Sequence, residues 1–214
     1  MSSPRWSSAC GCLLLVAATA GCSRAVDGSA SVQAAIPLPS LLIDPGRFPP
    51  DYSPVVLDAA ASDQALRNID GAPAVAIVTP SSCAAPPPRD AAAIVAVAAG
   101  GSLTVAVSRA DGPLSARRNQ LANCPTFTVE GPGGASTVSV ELLAPPPVDA
   151  DDSYAVARTS SGAAPQATLT LVAQRGDVRV TAGTATAPGE PRDTETLDVL
   201  FTDAVRKAGH AGGQ

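Results

Sequence analysis

Three pairs of short β-rich segments, each pair joined by a glycine-containing turn, constrain the fold of this chain more than any other feature. Ile94–Ala98 and Leu103–Ser108 flank Gly100-Gly101, and two such segments across a Gly-Gly pair are typical of a β-hairpin. The same pattern recurs in Thr126–Glu130 with Thr137–Leu143, and in Thr168–Ala173 with Val178–Thr184. Because hairpins pair consecutive strands antiparallel, the chain is predicted to form a mainly antiparallel sheet.

Three helices are predicted around this sheet. The clearest covers Thr194–Ala208 behind a capping Asp193 or Thr194. Its apolar side chains recur at helical spacing, which predicts one buried face. That stripe comprises Leu197, Leu200, Phe201, Val205 and Ala208. A polar helix is predicted over Leu114–Ala122, and a short one is predicted with Ser62 as its N-cap and Asp70-Gly71 as its end. Strands followed and preceded by helices indicate the α+β class, with a mainly antiparallel β-sheet covered by helices and a C-terminal amphipathic helix.

Three further segments are predicted to be strands. Val55-Val56-Leu57 is a short apolar run. Pro73–Val78 is continuously apolar and bounded by proline, which favours a buried strand over so short a helix. Ser153–Arg158 alternates Tyr154, Val156 and Arg158 with two alanines, as a half-exposed strand would.

The N-terminus carries an export signal. Arg5 precedes a short apolar run that ends in Thr19-Ala20-Gly21-Cys22, which resembles the lipobox of bacterial lipoproteins, although Thr19 replaces the usual leucine. The run is too short to span a bilayer, which takes about 20 residues. The resemblance implies that residues 1–21 are a lipoprotein signal peptide and that Cys22 is the lipidation residue, anchoring the protein to the membrane. The alternative is an ordinary secretory signal cut after an A-x-A-like site.

The mature chain is predicted to hold one domain. Residues 22–40 lack sustained periodicity and are interpreted as a lipidated flexible tether. The single α+β domain is predicted over residues 41–208, starting at the apolar cluster Leu41-Leu42-Ile43. Residues 209–214 are glycine-rich and are predicted to be a disordered tail.

The charge balance excludes one class of partner. The net charge is −5 at pH 7, whereas binding to a nucleic-acid backbone needs clustered Lys and Arg. Aromatic residues are also too few to form a stacking platform for sugars or single-stranded nucleic acid, since they make up 3% of the chain. No nucleic-acid partner is therefore expected.

Cysteine usage predicts one disulfide. Cys10 and Cys12 lie in the signal segment, and Cys22 is the predicted lipidation residue. Cys83 and Cys124 remain, and in an oxidising exported compartment two such cysteines most simply form a bridge. A redox or metal-binding thiol pair is the alternative, but the pair lacks C-x-x-C spacing.

Catalytic signatures are missing from the sequence. The only histidine, His210, lies in the predicted tail, and no nucleophile elbow, zincin, phosphate-loop or dinucleotide motif occurs. Asp149, Asp151 and Asp152 form the densest carboxylate cluster, but without the glycine turn and distal Glu of a calcium loop they favour a solvated strand entry. Arg175-Gly176-Asp177 spells an adhesion tripeptide and is interpreted as a hairpin turn. No catalytic residue, metal ligand or cofactor is predicted.

Several motifs together resemble a known group. The lipobox, the segment Arg47–Tyr52 with sequence RFPPDY, the cysteine pair, and the strand entry Asp151–Ala155 are followed by a hairpin and a terminal helix. This order resembles uncharacterised mycobacterial-type (actinobacterial) cell-envelope lipoproteins, whose domain is similar to the extracellular sensor domain of a mycobacterial Ser/Thr kinase. The resemblance implies an exported location and that fold. The kinase domain has two disulfides, whereas this mature domain has cysteines for one.

Two main classes of function follow from the sequence. The first is a membrane-anchored, non-catalytic binding or sensor-like module of the cell envelope, with an unknown protein, lipid or cell-wall ligand. The alternative is a lipid or small-ligand carrier, or a hydrolase with an unconventional site. A purely structural envelope protein is a third option.

Overall fold

One antiparallel sheet of nine strands organises the domain, in the spatial order β1-β3-β4-β9-β8-β7-β6-β5-β2. The computed structural model describes residues 36–73 and 75–211. The strands are β1 Ser53–Val56, β2 Ile77–Thr79, β3 Arg89–Ala98, β4 Gly101–Arg109, β5 Thr126–Gly131, β6 Gly134–Leu143, β7 Asp152–Gly162, β8 Gln166–Arg175 and β9 Val178–Thr186. The helices are α1 Ala59–Ile69, α2 Leu114–Ala122 and α3 Thr194–Ala211, and short 3-10 turns cover Leu38–Leu41, Pro45–Arg47 and Ser81–Cys83.

The predicted fold class is confirmed. Each predicted hairpin is present, as β3–β4, β5–β6 and β8–β9, and every neighbouring pair of strands is antiparallel. Strand β4 also pairs with β9, for example Val105 with Ala182, which joins the first hairpin to the last. Long-range pairing of this kind cannot be deduced from local turn signals.

Helix α3 covers one face of the sheet and packs its apolar side chains into the main core. Leu197, Leu200 and Phe201 are fully buried among residues of β4, β8 and β9. The Asp193 carboxylate accepts a hydrogen bond from the Thr196 N–H, as an N-cap residue does. The apolar stripe predicted for this helix is confirmed.

Both predicted domain boundaries differ from the structure. Helix α3 continues to Ala211, so Gly209 and His210 are helical and do not belong to a disordered tail. The His210 side chain contacts the preceding turn of the helix, since its Nδ1 lies 2.7 Å from the Arg206 carbonyl oxygen. At the other end, Leu38 is already buried in the core, three residues before the predicted start at Leu41. Cys22 and the predicted signal peptide lie outside the described residues.

The opposite face of the sheet carries α1 and α2. Helix α1 packs on β3, β4 and β9, and α2 packs on β6 and β7. The N-cap of helix α1 lies four residues before the predicted one at Ser62, because Asp58 caps the helix and accepts from the Ala61 N–H at 2.8 Å. Ser62 is a buried residue within the helix. Its predicted end is confirmed, since Gly71 follows Asp70 at φ 79°, the left-handed cap that glycine favours.

Two strand predictions were wrong about burial. Among the described residues of Pro73–Val78, Ile77 and Val78 alone enter a strand, and that strand, β2, is the edge of the sheet, where Ile77 is 67% exposed. Proline restricts pairing and favours such edge positions. Strand β7, by contrast, lies between β6 and β8 and has buried residues on both faces, since Tyr154–Val156 and Arg158 are buried and only Ser153 and Ala157 are half-buried.

No helix in the described ranges combines the length and hydropathy that a bilayer crossing requires.

Candidate functional site

The predicted disulfide is confirmed. Cys83 and Cys124 are bridged, with an S–S distance of 2.10 Å and Cα atoms 5.6 Å apart. The bridge ties the Ser81–Cys83 turn to the chain just after α2, and it is buried against Phe127, Val129 and Val138. Its apolar surroundings indicate a structural role rather than a reactive one.

Arg158 is a buried charged residue on the face of the sheet that carries α1 and α2. It lies on β7 and is only 3% exposed. Its Nη2 donates to Asp70 Oδ1 at 2.9 Å, and its Nη1 donates to the Ile69 carbonyl oxygen at 3.2 Å. Asp70 and Ile69 end helix α1, and a cation is favourable at a helix C-terminus. Arg158 therefore joins the middle of the sheet to the end of this helix.

The Asp70 carboxylate is shared between two arginines. Besides the bond from Arg158, its Oδ1 accepts from Arg117 Nη2 on α2 at 3.3 Å. Arg117 Nη1 donates to Gln120 Oε1, and Gln120 Nε2 donates to the carbonyl oxygens of Ser82 and Ala84 beside the disulfide. This chain of contacts connects α1, α2 and β7 and rigidifies the region.

Burial governs the ionisation of this cluster. Desolvation lowers the pKa of the Arg158 guanidinium, and the Asp70 charge opposes that shift. Arginine remains a cation at neutral pH even when buried. Desolvation raises the pKa of the neighbouring Tyr154, with a further increase from Asp70. Tyr154 is therefore a neutral hydroxyl at neutral pH.

A concave surface next to Arg158, the Arg158 groove, is the main candidate site. Its volume is about 350 Å³, which is within the range of small-molecule sites. The groove is lined by Asn68, Gly71, Pro73, Ala76, Val129, Gly131, Pro132, Gly133, Gly134, Ser136, Val138, Arg158, Ser160, Ala163, Ala164, Gln166 and Thr168. Among these described lining residues Arg158 alone is charged.

Thr168 accompanies Arg158 in the floor of the groove. The two residues are direct cross-strand partners on β7 and β8, and each is 3% exposed. Arg158 Nε and Thr168 Oγ1 are buried, and neither has a hydrogen-bond partner within residues 36–73 and 75–211. Gly71 closes over the arginine, since a Cβ added there would lie 3.6 Å from Arg158 Cδ.

A second, smaller cavity has Asp70 in its lining. Its volume is about 60 Å³, and Tyr154, Arg117 and Arg179 contribute to its lining. A space of this size suits a few water molecules and is too small for an organic ligand.

The acidic segment predicted at the strand entry forms internal contacts. Asp149 pairs with Arg175 at 2.6 Å, and Asp152 pairs with Arg118 at 3.0 Å. Asp151 accepts from the Gly176 N–H at 2.7 Å, in the turn between β8 and β9. The segment thus pins this turn, and no group of three potential metal ligands occurs within the described part of the chain.

Sequence reasoning missed the groove. The alternating pattern of Ser153–Arg158 predicts only that Arg158 lies on one side of a half-exposed strand, and the turn signal predicts only that Thr168 lies in a hairpin. The one available signal was the arginine at the end of an otherwise apolar strand pattern. Its burial depends on the position of α1, which is distant in sequence.

Comparison with known proteins identifies the fold. The extracellular domain of PknH from Mycobacterium tuberculosis is similar with a TM-score of 0.54 at 13% sequence identity, over 81% of this chain and 95% of that one. The chain has the fold of that domain. An uncharacterised protein from Mycobacterium smegmatis, an Rv0999 ortholog, matches with a TM-score of 0.46 at 20% identity, over 76% of this chain and 91% of that one. No family model and no curated protein match the sequence.

Proposed function

We propose that this protein is an exported lipoprotein, anchored at Cys22, that acts as a non-catalytic binding or sensor-like module in the cell envelope. The Arg158 groove is the observation that carries the binding role. It combines an apolar lining with a few convergent polar groups, which is the usual composition of a ligand site.

The site is built to hold its shape. Arg158 is fixed by Asp70 and by the end of α1, and Asp70 is fixed in turn by Arg117. A preorganised site loses less conformational entropy when it binds a ligand. This rigidity supports recognition of a particular small molecule.

The same contacts favour binding over the hydrolase alternative. A hydrolytic site needs a nucleophile beside a base that can take its proton. Asp70, the carboxylate bonded to Arg158, accepts from two guanidinium groups through its Oδ1. It is engaged in holding the fold together.

The size of the groove bears on the carrier alternative. A volume of about 350 Å³ lies at the lower end of the range for small-molecule sites. It favours a small ligand over a lipid with long acyl chains.

Three observations support export. The N-terminal segment ends in a lipobox-like sequence at Cys22. The Cys83–Cys124 disulfide suits an oxidising compartment. The fold is that of an extracellular domain from a mycobacterium.

The anchor can be tested by mass spectrometry of the mature N-terminus. We expect an acylated peptide beginning at Cys22 and a protein that sediments with membranes. Cys22→Ala should release it into the medium, whereas the neighbouring Ser23→Ala should leave it on the membrane. An unmodified N-terminus at any other residue would overturn the anchor.

A further inference from the structure

The charge of the Arg158 groove indicates the sign of its ligand. Arg158 is the single charged residue in the described lining, and Asp70, its carboxylate partner, does not line the groove. Asp70 also neutralises Arg117. The groove therefore presents the Arg158 cation, while its counterion Asp70 is shared with Arg117 and lies outside the groove. This arrangement favours binding of a ligand with an anionic group.

Two buried polar atoms of residues that line the groove are without partners in residues 36–73 and 75–211. Buried polar groups in folded proteins nearly always make hydrogen bonds. The hydroxyls of Ser136 and Ser160 do so with Ala164, the first accepting from its N–H and the second donating to its carbonyl oxygen. Arg158 Nε and Thr168 Oγ1 make none with the described residues. Both can donate, and a carboxylate accepts two such bonds at once.

The rest of the groove is largely apolar. Its walls include Pro73, Ala76, Val129, Val138, Ala163 and Ala164. Covering these side chains would remove apolar surface from water, which favours binding of an apolar body.

We infer that the Arg158 groove binds a small amphiphile with a single carboxylate and an apolar body, the carboxylate accepting hydrogen bonds from Arg158 Nε and Thr168 Oγ1. The inference rests on the proposed binding role of this groove. It adds the chemical class of the ligand and the two donors that select it.

The test compares three probes of equal chain length that differ in their head groups: octanoate, octan-1-ol and octyltrimethylammonium. The protein is the chain that follows the predicted signal, with Cys22→Ala so that no detergent is needed; all described elements lie within it. Titration calorimetry should show octanoate binding at least about tenfold more tightly than octanol, as expected for charge-assisted hydrogen bonds. The ammonium probe should bind weakest.

Variants locate the site without disturbing the Arg158–Asp70 pair. Thr168→Val removes Oγ1 at nearly constant shape and should weaken octanoate at least about threefold while leaving octanol unchanged. Ala164→Trp should fill the groove and abolish octanoate binding. Its control is Ala187→Trp, since Ala187 is exposed and lies after β9.

Three outcomes would overturn the inference: no octanoate binding, equal binding of octanoate and octanol, or octanoate binding that survives Ala164→Trp. The proposed anchoring is judged separately. A lipidated Cys22 in a protein that does not bind octanoate would refute the ligand class and leave the anchor standing.

Discussion

Arg158 Nη2 donates to Asp70 Oδ1 at 2.9 Å, and this contact ties the residue that ends helix α1 to a buried position in strand β7. Arg158 is 3% exposed, whereas the Asp70 side chain is 30% exposed. The buried Arg158 cation is thus balanced by a carboxylate, Asp70, that is partly exposed to solvent. Asp70 thereby joins Arg158 to the end of α1 and, through Arg117, to α2.

Removing the Asp70 charge should destabilise the protein strongly. Asp70→Asn leaves the Arg158 cation buried without its counterion, and we expect a loss of roughly 2–4 kcal/mol in the free energy of unfolding, somewhat below that of a fully buried pair. Asp177→Asn is the control, because the Asp177 partner of Arg109 is 72% exposed, and it should cost less than about 1 kcal/mol. Urea denaturation measures both. Equal effects would show that the Arg158 charge is not compensated by Asp70.

The disulfide should contribute substantially to stability. Cys83 and Cys124 are 41 residues apart, and the loss of chain entropy in the unfolded state predicts a stabilisation of about 4 kcal/mol. For a domain of this size, replacing both cysteines by alanine should lower the Tm by roughly 8–16 °C. Scanning calorimetry of the double variant, compared with the reduced wild-type protein, checks this. A Tm within a degree or two of the oxidised protein would contradict it.

Helix α1 offers a matched test of its N-cap. Asp58→Ala removes the acceptor for the Ala61 N–H and should cost about 0.5–2 kcal/mol. Ser62→Ala should be neutral or stabilising by a few tenths of a kcal/mol, because the buried Ser62 Oγ has no partner in the described ranges and alanine is the better helix former. Thermal unfolding of the two variants distinguishes the caps. A larger loss of stability for Ser62→Ala than for Asp58→Ala would instead identify Ser62 as the N-cap.

Tyr154 should make stability depend on alkaline pH. Burial raises its pKa above the ordinary value of 10.0, so the folded state holds its phenol proton more tightly than the unfolded state. The resulting stabilisation is fully present below pH 10 and is lost as the pH rises through the folded pKa. In a Tyr52→Phe background, the phenolate absorbance should develop above pH 10 in the folded protein and near that pH in urea. Titration at the same pH in both states would refute the shift.

Phe201 should be the most costly truncation in helix α3. It is fully buried and is among the largest buried side chains of the core, so Phe201→Ala should lose roughly 3–5 kcal/mol through lost burial and a residual cavity. Val199→Ala on the same helix is the control, since Val199 is 52% exposed, and it should change stability by no more than about 0.5 kcal/mol. Urea titrations of the two variants provide the comparison. A small effect of the Phe201 substitution would mean that the core collapses into the space.

The sequence by itself determined the local features of this protein. The glycine-containing turns predicted the three hairpins, and the 3.6-residue apolar stripe predicted α3 and the face that it buries. The Cys83–Cys124 bridge followed from the small number of cysteines left in the mature chain. Each of these depends on neighbouring residues or on simple counting, so it can be derived from the chain alone.

Only the tertiary structure decided which residues are buried on the face of the sheet that carries α1 and α2. Strand β7 is interior because it pairs with both β6 and β8, and β2 is an edge strand because it pairs with β5 alone among the described strands. This reversed the exposure expected for Arg158 and for Ile77. Arg158 could be buried because Asp70 and the Ile69 carbonyl oxygen, nearly ninety residues away in sequence, supply the compensating charge and acceptor. Burial of a charge requires such partners, and no local pattern reveals them.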